Sequence, residues 1–178
     1  MYNARMTSRS RVRTAGWRPD SIRVLLLLAA ALILSACSSR EVEKDLKMTD
    51  VKTGWYDAGI VQGQNKLVPS VSFKLQNVSN EAINRVQVNA VFRDVNEPDK
   101  VWGENMIRAI GPDGLEAGAT GDALVVRSPN GYTGSEPRQV MLKNSQFVDA
   151  TVTIFGRHGS RTWVKIGEFP ISRTLLTR

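Results

Sequence analysis

Residues 86–92 read Val-Gln-Val-Asn-Ala-Val-Phe, and apolar and polar side chains alternate through most of this stretch. A period of two places the apolar side chains on one face of an extended strand and the polar side chains on the other. The same period occurs at residues 71–75 and 148–154. These three stretches predict half-buried β-strands, and they decide the fold class as all-β.

Four further segments carry a weaker strand pattern, at residues 48–57, 101–110, 121–127 and 162–171. Clusters of Asn, Asp, Gly, Pro and Ser separate these segments and are typical of turns. About seven short strands joined by turns predict an antiparallel β-sandwich. The one helical exception is residues 136–145, where Pro137 near the start favours one or two helical turns.

Two turns and one strand between residues 70 and 127 resemble those of a known family. Asn77-Val78-Ser79 has an N-x-S turn pattern, Phe92-Arg93-Asp94 ends a strand with an aromatic–x–acid unit, and Leu115-Glu116-Ala117-Gly118 has an L-x-x-G pattern. This combination resembles the FxLYD-type and related immunoglobulin-like domains of bacterial lipoproteins, although the Phe-Arg-Asp unit departs from the family pattern. The resemblance implies an immunoglobulin-like sandwich whose end is plugged by Leu115, and it implies no activity.

An uninterrupted apolar run occupies residues 24–34, directly after Arg23. Eleven residues of helix span about 16 Å, about half of a bilayer core, so the run is too short for a transmembrane helix and suits the apolar region of a signal peptide. Its Arg-rich flank and lack of a polar face disfavour the alternative of a buried core helix. The run ends in Leu34-Ser35-Ala36-Cys37, which matches the bacterial lipobox.

The lipobox predicts how the chain is processed. Leu34 and the small residues Ser35 and Ala36 would be recognised by the lipoprotein signal peptidase, and the thiol of Cys37 would accept diacylglycerol. This covalent lipid is the only cofactor-like group that the sequence predicts. Cys37 is also the only cysteine, so the chain has no second thiol for an internal disulfide bond.

The predicted organisation has three parts: a signal peptide over residues 1–36, the lipidated cysteine with a polar tether over 37–47, and the β-sandwich over 48–178. The segment before the apolar run contains no Arg-Arg pair, which favours the general secretory route. Ser38 follows the cysteine in place of an aspartate, which favours the outer membrane, with the domain facing the periplasm.

The charges argue against a nucleic-acid partner. The whole chain has a formal net charge of +7, but six of its 24 basic residues and one of its 17 acidic residues precede Cys37. Eighteen basic and sixteen acidic residues remain from Cys37 onward. A nearly neutral domain lacks the electrostatic footprint that phosphate backbones require.

Two segments carry residue types that are suited to catalysis or metal binding. His158 is the only histidine and lies in the pattern of an exposed turn; without a second histidine or a cysteine nearby it does not complete a zinc site. A hydrolase would need His158 beside a carboxylate and a Ser or Thr. The loop Asp94–Asp99 offers oxygen ligands for calcium but lacks the glycine and distal glutamate of an EF-hand, so a strand-connecting turn is favoured and no metal site is predicted.

The most specific binding prediction concerns the Gly-rich loop over residues 128–135, with Tyr132 at its centre and Trp102 as a second contact. The leading hypothesis is a non-enzymatic, lipid-anchored binding or assembly module with an envelope protein partner. One alternative is a carbohydrate- or peptidoglycan-contacting module, which requires two or more aromatic side chains exposed on one face, among Trp55, Trp102, Tyr132 and Trp163. The other alternative is a hydrolase with an unrecognised site.

Overall fold

The structure, a computed structural model, describes residues 41–176. Strands dominate this part of the chain, and the helices are short. In chain order the elements are α1 (Val42–Asp45), β1 (Leu46–Val61), β2 (Gln64–Asn77), β3 (Val86–Asp94), β4 (Val101–Ile110), β5 (Leu124–Arg127), β6 (Tyr132–Gly134), α2 (Arg138–Lys143), β7 (Ala150–His158), β8 (Val164–Pro170) and β9 (Leu175–Leu176).

The strands form two sheets, which we call sheet I and sheet II. Sheet I has the order β5-β2-β1-β9, and β6 also pairs with β2; sheet II has the order β4-β3-β7-β8. Neighbouring strands are antiparallel except β1 and β9, which are parallel. The prediction of an all-β antiparallel sandwich is confirmed. Two strands beyond the seven expected, β6 and β9, have three and two residues, too few for alternation to be visible in the sequence.

The inner faces of the two sheets form the core, as the period of two predicts. The alternating apolar side chains of β3 are all buried, at Val86, Val88, Ala90 and Phe92. Opposite them in sheet I, Val71, Phe73 and Leu75 of β2 are buried as well. Full burial of one such side chain stabilises the fold by about 1.5–3 kcal/mol, so the apolar alternation determines which face of each sheet turns inward. The predicted helical turns at 136–145 are also confirmed, since α2 begins directly after Pro137.

The folded domain begins earlier than residue 48, so the tether predicted over 37–47 is wrong for its last six residues. Residues 42–45 form α1 and Leu46 opens β1. The side chains of Val42 and Leu46 are only 3% and 6% exposed, and Val42 packs beside Gly156 of β7. The surrounding charged residues make this stretch look like a tether in the sequence, but its two apolar side chains anchor it to the core.

At the end of the sandwich that carries α1, one buried amide joins the two turn motifs. Asn77 is fully buried, and its Nδ2 donates to the carbonyl oxygens of Glu81, Leu115 and Glu116, at 2.8, 2.9 and 3.1 Å. Its Oδ1 accepts hydrogen bonds from the backbone N–H and the hydroxyl of Ser79. Leu115 packs against the core, as expected for the residue that plugs the sandwich end. Asn77 therefore acts in turn structure.

Candidate binding cleft

Trp102 and Tyr132, the two side chains predicted to contact a partner, line one cleft of about 470 Å³. Trp102 lies near the start of β4 in sheet II, and Tyr132 begins β6 in sheet I. The cleft is therefore at the end of the sandwich opposite α1, where the two sheets come together. The other lining residues are Asp94, Glu97, Lys100, Val101, Gly131, Thr133 and Val148, and we call the whole the aromatic cleft.

Buried rings support both of these side chains from below. The ring centroids of Trp55 and Trp102 are 5.9 Å apart, and those of Tyr132 and Phe147 are 4.8 Å apart. Trp55 and Phe147 pack edge to face at 4.5 Å, so the four rings form one continuous cluster. Each such pair stabilises the arrangement by about 0.5–1.5 kcal/mol beyond its buried area. Trp102 and Tyr132 are thus held in place while part of each side chain faces the cleft.

The sequence pattern gives no indication of a role for Phe147. Its position is explained by Arg173, which binds the backbone and the acidic side chain on either side of it. Arg173 donates to both carboxylate oxygens of Asp149, at 2.7 and 2.9 Å, and also to the carbonyl oxygens of Asn144 and Phe147. The Arg173 guanidinium lies 5.4 Å from the centroid of the Phe147 ring. The hydrogen bond from Arg173 lowers the pKa of Asp149 below its ordinary value, since it favours the ionised carboxylate.

The predicted recognition loop over residues 128–135 forms one wall of the aromatic cleft. Nδ2 of Asn130 donates to the carbonyl oxygen of Trp102 at 2.6 Å, and the hydroxyl of Ser128 accepts from the backbone N–H of Asn130 at 3.2 Å. Gly131 lies so close to β2 that a Cβ added there would overlap the carbonyl oxygen of Leu67. These contacts fasten the loop to both sheets and hold Tyr132 opposite Trp102.

The acidic loop Asp94–Asp99 forms the facing rim, and the carboxylates of Asp94 and Glu97 are engaged by neighbouring residues. Oδ1 of Asp94 accepts the backbone N–H of Asn96 at 2.8 Å, and Glu97 pairs with Lys100 at 3.0 Å. This arrangement is that of the strand-connecting turn favoured from the sequence. Over residues 41–176 no three or more His, Cys, Asp or Glu side chains lie together in a way that could hold a metal ion.

Only two of the four aromatic residues considered for a glycan-binding face share the aromatic cleft. Trp55 is fully buried, and its Nε1 has no hydrogen-bond partner within residues 41–176. It is therefore a core residue, and its proposed place on an exposed platform is wrong. Trp163 lies elsewhere, with the Arg157 guanidinium 4.5 Å from its ring centroid. The alternation of residues along a strand does not show whether an aromatic side chain lies on the buried or the exposed face of the sheet, because aromatic residues are common on both faces.

His158 is the last residue of β7, at the start of the β7–β8 hairpin, so its predicted position next to a turn is correct. Its predicted exposure is wrong, because it is half-buried. It lines a separate cavity of about 340 Å³ together with Glu41, Glu43 and Thr162. The segment around α1, which the sequence predicts to be part of a tether, forms one wall of this cavity. This segment covers part of His158, which explains why the side chain is half-buried.

The lipobox residues Leu34, Ser35, Ala36 and Cys37 lie outside the residues that the structure describes. Within residues 41–176, no helix is both long enough and apolar enough to cross a bilayer.

No protein-family model and no curated protein matches the chain. Among solved structures it is similar to the X-ray structure of Northeast Structural Genomics Consortium target SoR45, with 13% identity and a TM-score of 0.42 over 74% of this chain and 89% of that one. It is also similar to the solution structure of AT1g01470 from Arabidopsis thaliana, with 14% identity and a TM-score of 0.39 over 76% of this chain and 85% of that one. Neither similarity is strong enough to support a conclusion about function.

Proposed function

We propose that this chain is a non-enzymatic, lipid-anchored binding or assembly module of the bacterial envelope, and that the aromatic cleft is its contact surface. The observation that carries the proposal is the pair Trp102 and Tyr132, contributed by different sheets, each supported by a buried ring and each facing one cleft. Clefts lined by aromatic side chains with a few polar groups at the rim are typical of binding sites.

The surface beside the cleft favours a protein partner that inserts an apolar side chain. Val101, in the cleft wall, and Val95, in the adjoining loop, are about half exposed, at 48% and 50%. Asp94, Glu97 and Lys100 place both signs of charge at the rim. An apolar centre with a polar rim is the usual anatomy of a protein–protein interface.

The lipobox at Cys37 supports the membrane part of the proposal, with export by the general secretory route and attachment to the outer membrane on its periplasmic side. The folded domain begins by Val42. Five residues span at most about 17 Å, so the domain would lie close to the membrane surface. The anchor is tested separately: Cys37→Ala should abolish labelling by a radioactive fatty acid and leave an unprocessed precursor. Normal processing of that variant would contradict the anchor.

Site-specific photo-crosslinking in cells tests the contact surface. A photoreactive amino acid at Thr133, an exposed residue of the cleft, should capture a discrete envelope protein. The same amino acid at Lys52, an exposed position on β1, is the matched control. We expect Trp102→Ala with Tyr132→Ala to abolish capture from Thr133 and leave the protein folded. Equal capture from both positions, or capture unaffected by the double substitution, would contradict the proposed surface.

A carbohydrate ligand is the second candidate, because two aromatic rings share the cleft with the carboxylates of Asp94 and Glu97. Rings stack on sugar faces, and carboxylates accept hydrogen bonds from sugar hydroxyls. Co-sedimentation with purified peptidoglycan distinguishes the candidates. Sedimentation that is lost in Trp102→Ala, in the absence of any crosslinked protein, would favour the carbohydrate.

A further inference from the structure

Three arginine side chains line a second cleft, of about 510 Å³, at the end of the sandwich that carries α1. Gln87 of β3 lies between two of them, since it pairs with Arg108 of β4 on one side and with Arg157 of β7 on the other. Arg85 precedes β3, and its backbone is bonded to the turns on both sides, through Gly111 and Gly159. The cleft, which we call the arginine cleft, is lined by Arg85, Gln87, Arg108, Gly111, Pro112, Arg157, Gly159 and Ser160.

The positive charges of this cleft are not balanced by its walls, because none of its lining residues is acidic. Arg85 and Arg108 make no side-chain hydrogen bond and no ion pair within residues 41–176. Arg157 is held in place, since its Nε donates to Oε1 of Gln87 at 2.7 Å and its guanidinium lies over the ring of Trp163. This leaves its terminal nitrogens as donors.

Several other cations on the described surface have an acidic partner. Lys74 pairs with Asp50, Arg138 with Asp57 and Arg173 with Asp149. Three like charges around one cleft repel each other, and an anion placed between them would turn that repulsion into attraction. A guanidinium presents a planar fork of N–H donors that matches the oxygens of phosphate, which explains why arginine is common in phosphate sites.

We propose that the arginine cleft binds a phosphate group carried as a monoester or diester. The site is independent of the aromatic cleft, which is at the other end of the sandwich. Its position suggests a source for the phosphate. Val42 of α1 packs beside Gly156, the neighbour of Arg157, so the cleft lies at the end where the chain enters the domain. A lipid on Cys37 would bring this end towards phospholipid head groups, whereas a soluble phosphate ester could reach the cleft from the periplasm.

The indole N–H resonance of Trp163 reports on this cleft, because Arg157 covers its ring. The full chain, as cells process it, is purified in maltoside micelles, which contain no phosphate. The Trp163 resonance is assigned with Trp163→Phe and followed by NMR during titration with inorganic phosphate and with glycerol 3-phosphate. Sodium chloride at equal ionic strength controls for screening. A parallel arm compares mixed micelles containing phosphatidylglycerol with micelles containing equal neutral diacylglycerol.

We expect a saturable shift that chloride does not produce, and about tenfold weaker binding in Arg108→Gln and in Arg85→Gln, as for the loss of a charged hydrogen bond. Arg127→Gln, which removes the same charge from β5 in sheet I, should bind as the unaltered chain does. A response to phosphatidylglycerol identifies a head group as the source, and a response confined to the soluble anions identifies a free ester; both support the site. A shift that does not saturate, or that is equal in Arg108→Gln and Arg127→Gln, would overturn the proposal.

Discussion

The two ends of the sandwich are held together by different kinds of interaction. At the end that carries α1, the uncharged amide of Asn77 joins two turns. The surface of this end carries the arginine cleft. At the opposite end, a cluster of rings fills the space between the sheets, and the ion pair of Arg173 and Asp149 fastens the segment that carries Phe147. The same two sheets therefore present a basic cleft at one end and an aromatic cleft at the other.

This difference shows where specificity arises in the domain. In the strands of both sheets, apolar and polar side chains alternate in the same way, so the strands alone do not distinguish one end of the domain from the other. The ends are built from loops, and several of these loops are positioned by side chains far away in the sequence. Loops on a rigid scaffold are where binding residues concentrate, and here each end has its own set of long-range contacts.

The largest effect on stability should come from the end with α1. Asn77→Ala removes the buried side chain whose amide donates to three carbonyl oxygens and accepts from Ser79, and we expect the free energy of unfolding to fall by about 2–4 kcal/mol. Asn80→Ala, an exposed neighbour in the same turn, should change it by less than about 0.5 kcal/mol. Urea unfolding at neutral pH measures both. Equal losses for the two variants would mean that the Asn77 amide does not hold this end together.

The aromatic end should be more sensitive to added volume. In Gly131→Ala the new Cβ overlaps the carbonyl oxygen of Leu67, so β6 must shift away from β2, at a cost of about 1–3 kcal/mol. The shift should also displace Tyr132 and abolish crosslinking from Thr133. In Gly111→Ala the added Cβ meets no atom within 4 Å, and we expect stability and crosslinking to be unchanged. Gly131→Ala with unaltered crosslinking would show that Tyr132 is not positioned by this close approach.

A structural property that is local can be predicted from this sequence, whereas one that depends on strand register or on distant partners cannot. Alternation over residues 86–92 is visible in the sequence because burial of every second side chain is a local pattern. Phe147 could not be placed, because its position depends on Arg173, which is 26 residues away in the sequence. The arginine cleft was missed for the same reason: Arg108 and Arg157 become neighbours only through their common pairing with Gln87.

Composition indicates Tyr132 and Trp102 as contact residues, and the structure brings them into one cleft, but composition does not separate them from the buried Trp55. All three are aromatic residues in or beside strands. What differs is the neighbouring backbone: Trp55 lies on the central strand β1, between β2 and β9, whereas Tyr132 lies on an edge strand and Trp102 near the start of one. Strand order is a property of the whole fold, so the distinction was outside the reach of the sequence pattern.

The smallest expected effect is a dependence on pH at the aromatic end. The hydrogen bond from Arg173 lowers the pKa of Asp149 below its ordinary value of 3.8. A carboxyl group whose pKa is lower in the folded state stabilises the protein above its ordinary pKa, and this stabilisation is lost as the pH falls through the folded-state pKa. Since the pair is partly exposed, we expect Asp149→Asn to lower Tm by only a few degrees at neutral pH.

This difference in Tm between Asp149→Asn and the unaltered chain should shrink as the pH falls from about 3.8 through the lower folded-state pKa of Asp149, because the unaltered chain then also loses the ionised carboxylate. Asp99→Asn, which removes an exposed carboxyl group from the acidic loop, should show no such convergence. Near-ultraviolet circular dichroism of the ring cluster, followed over the same pH range, locates the change. Acid should reduce the signal of the rings around Phe147 before the protein unfolds. A difference in Tm that stays constant with pH would mean that the ion pair does not fasten the aromatic end.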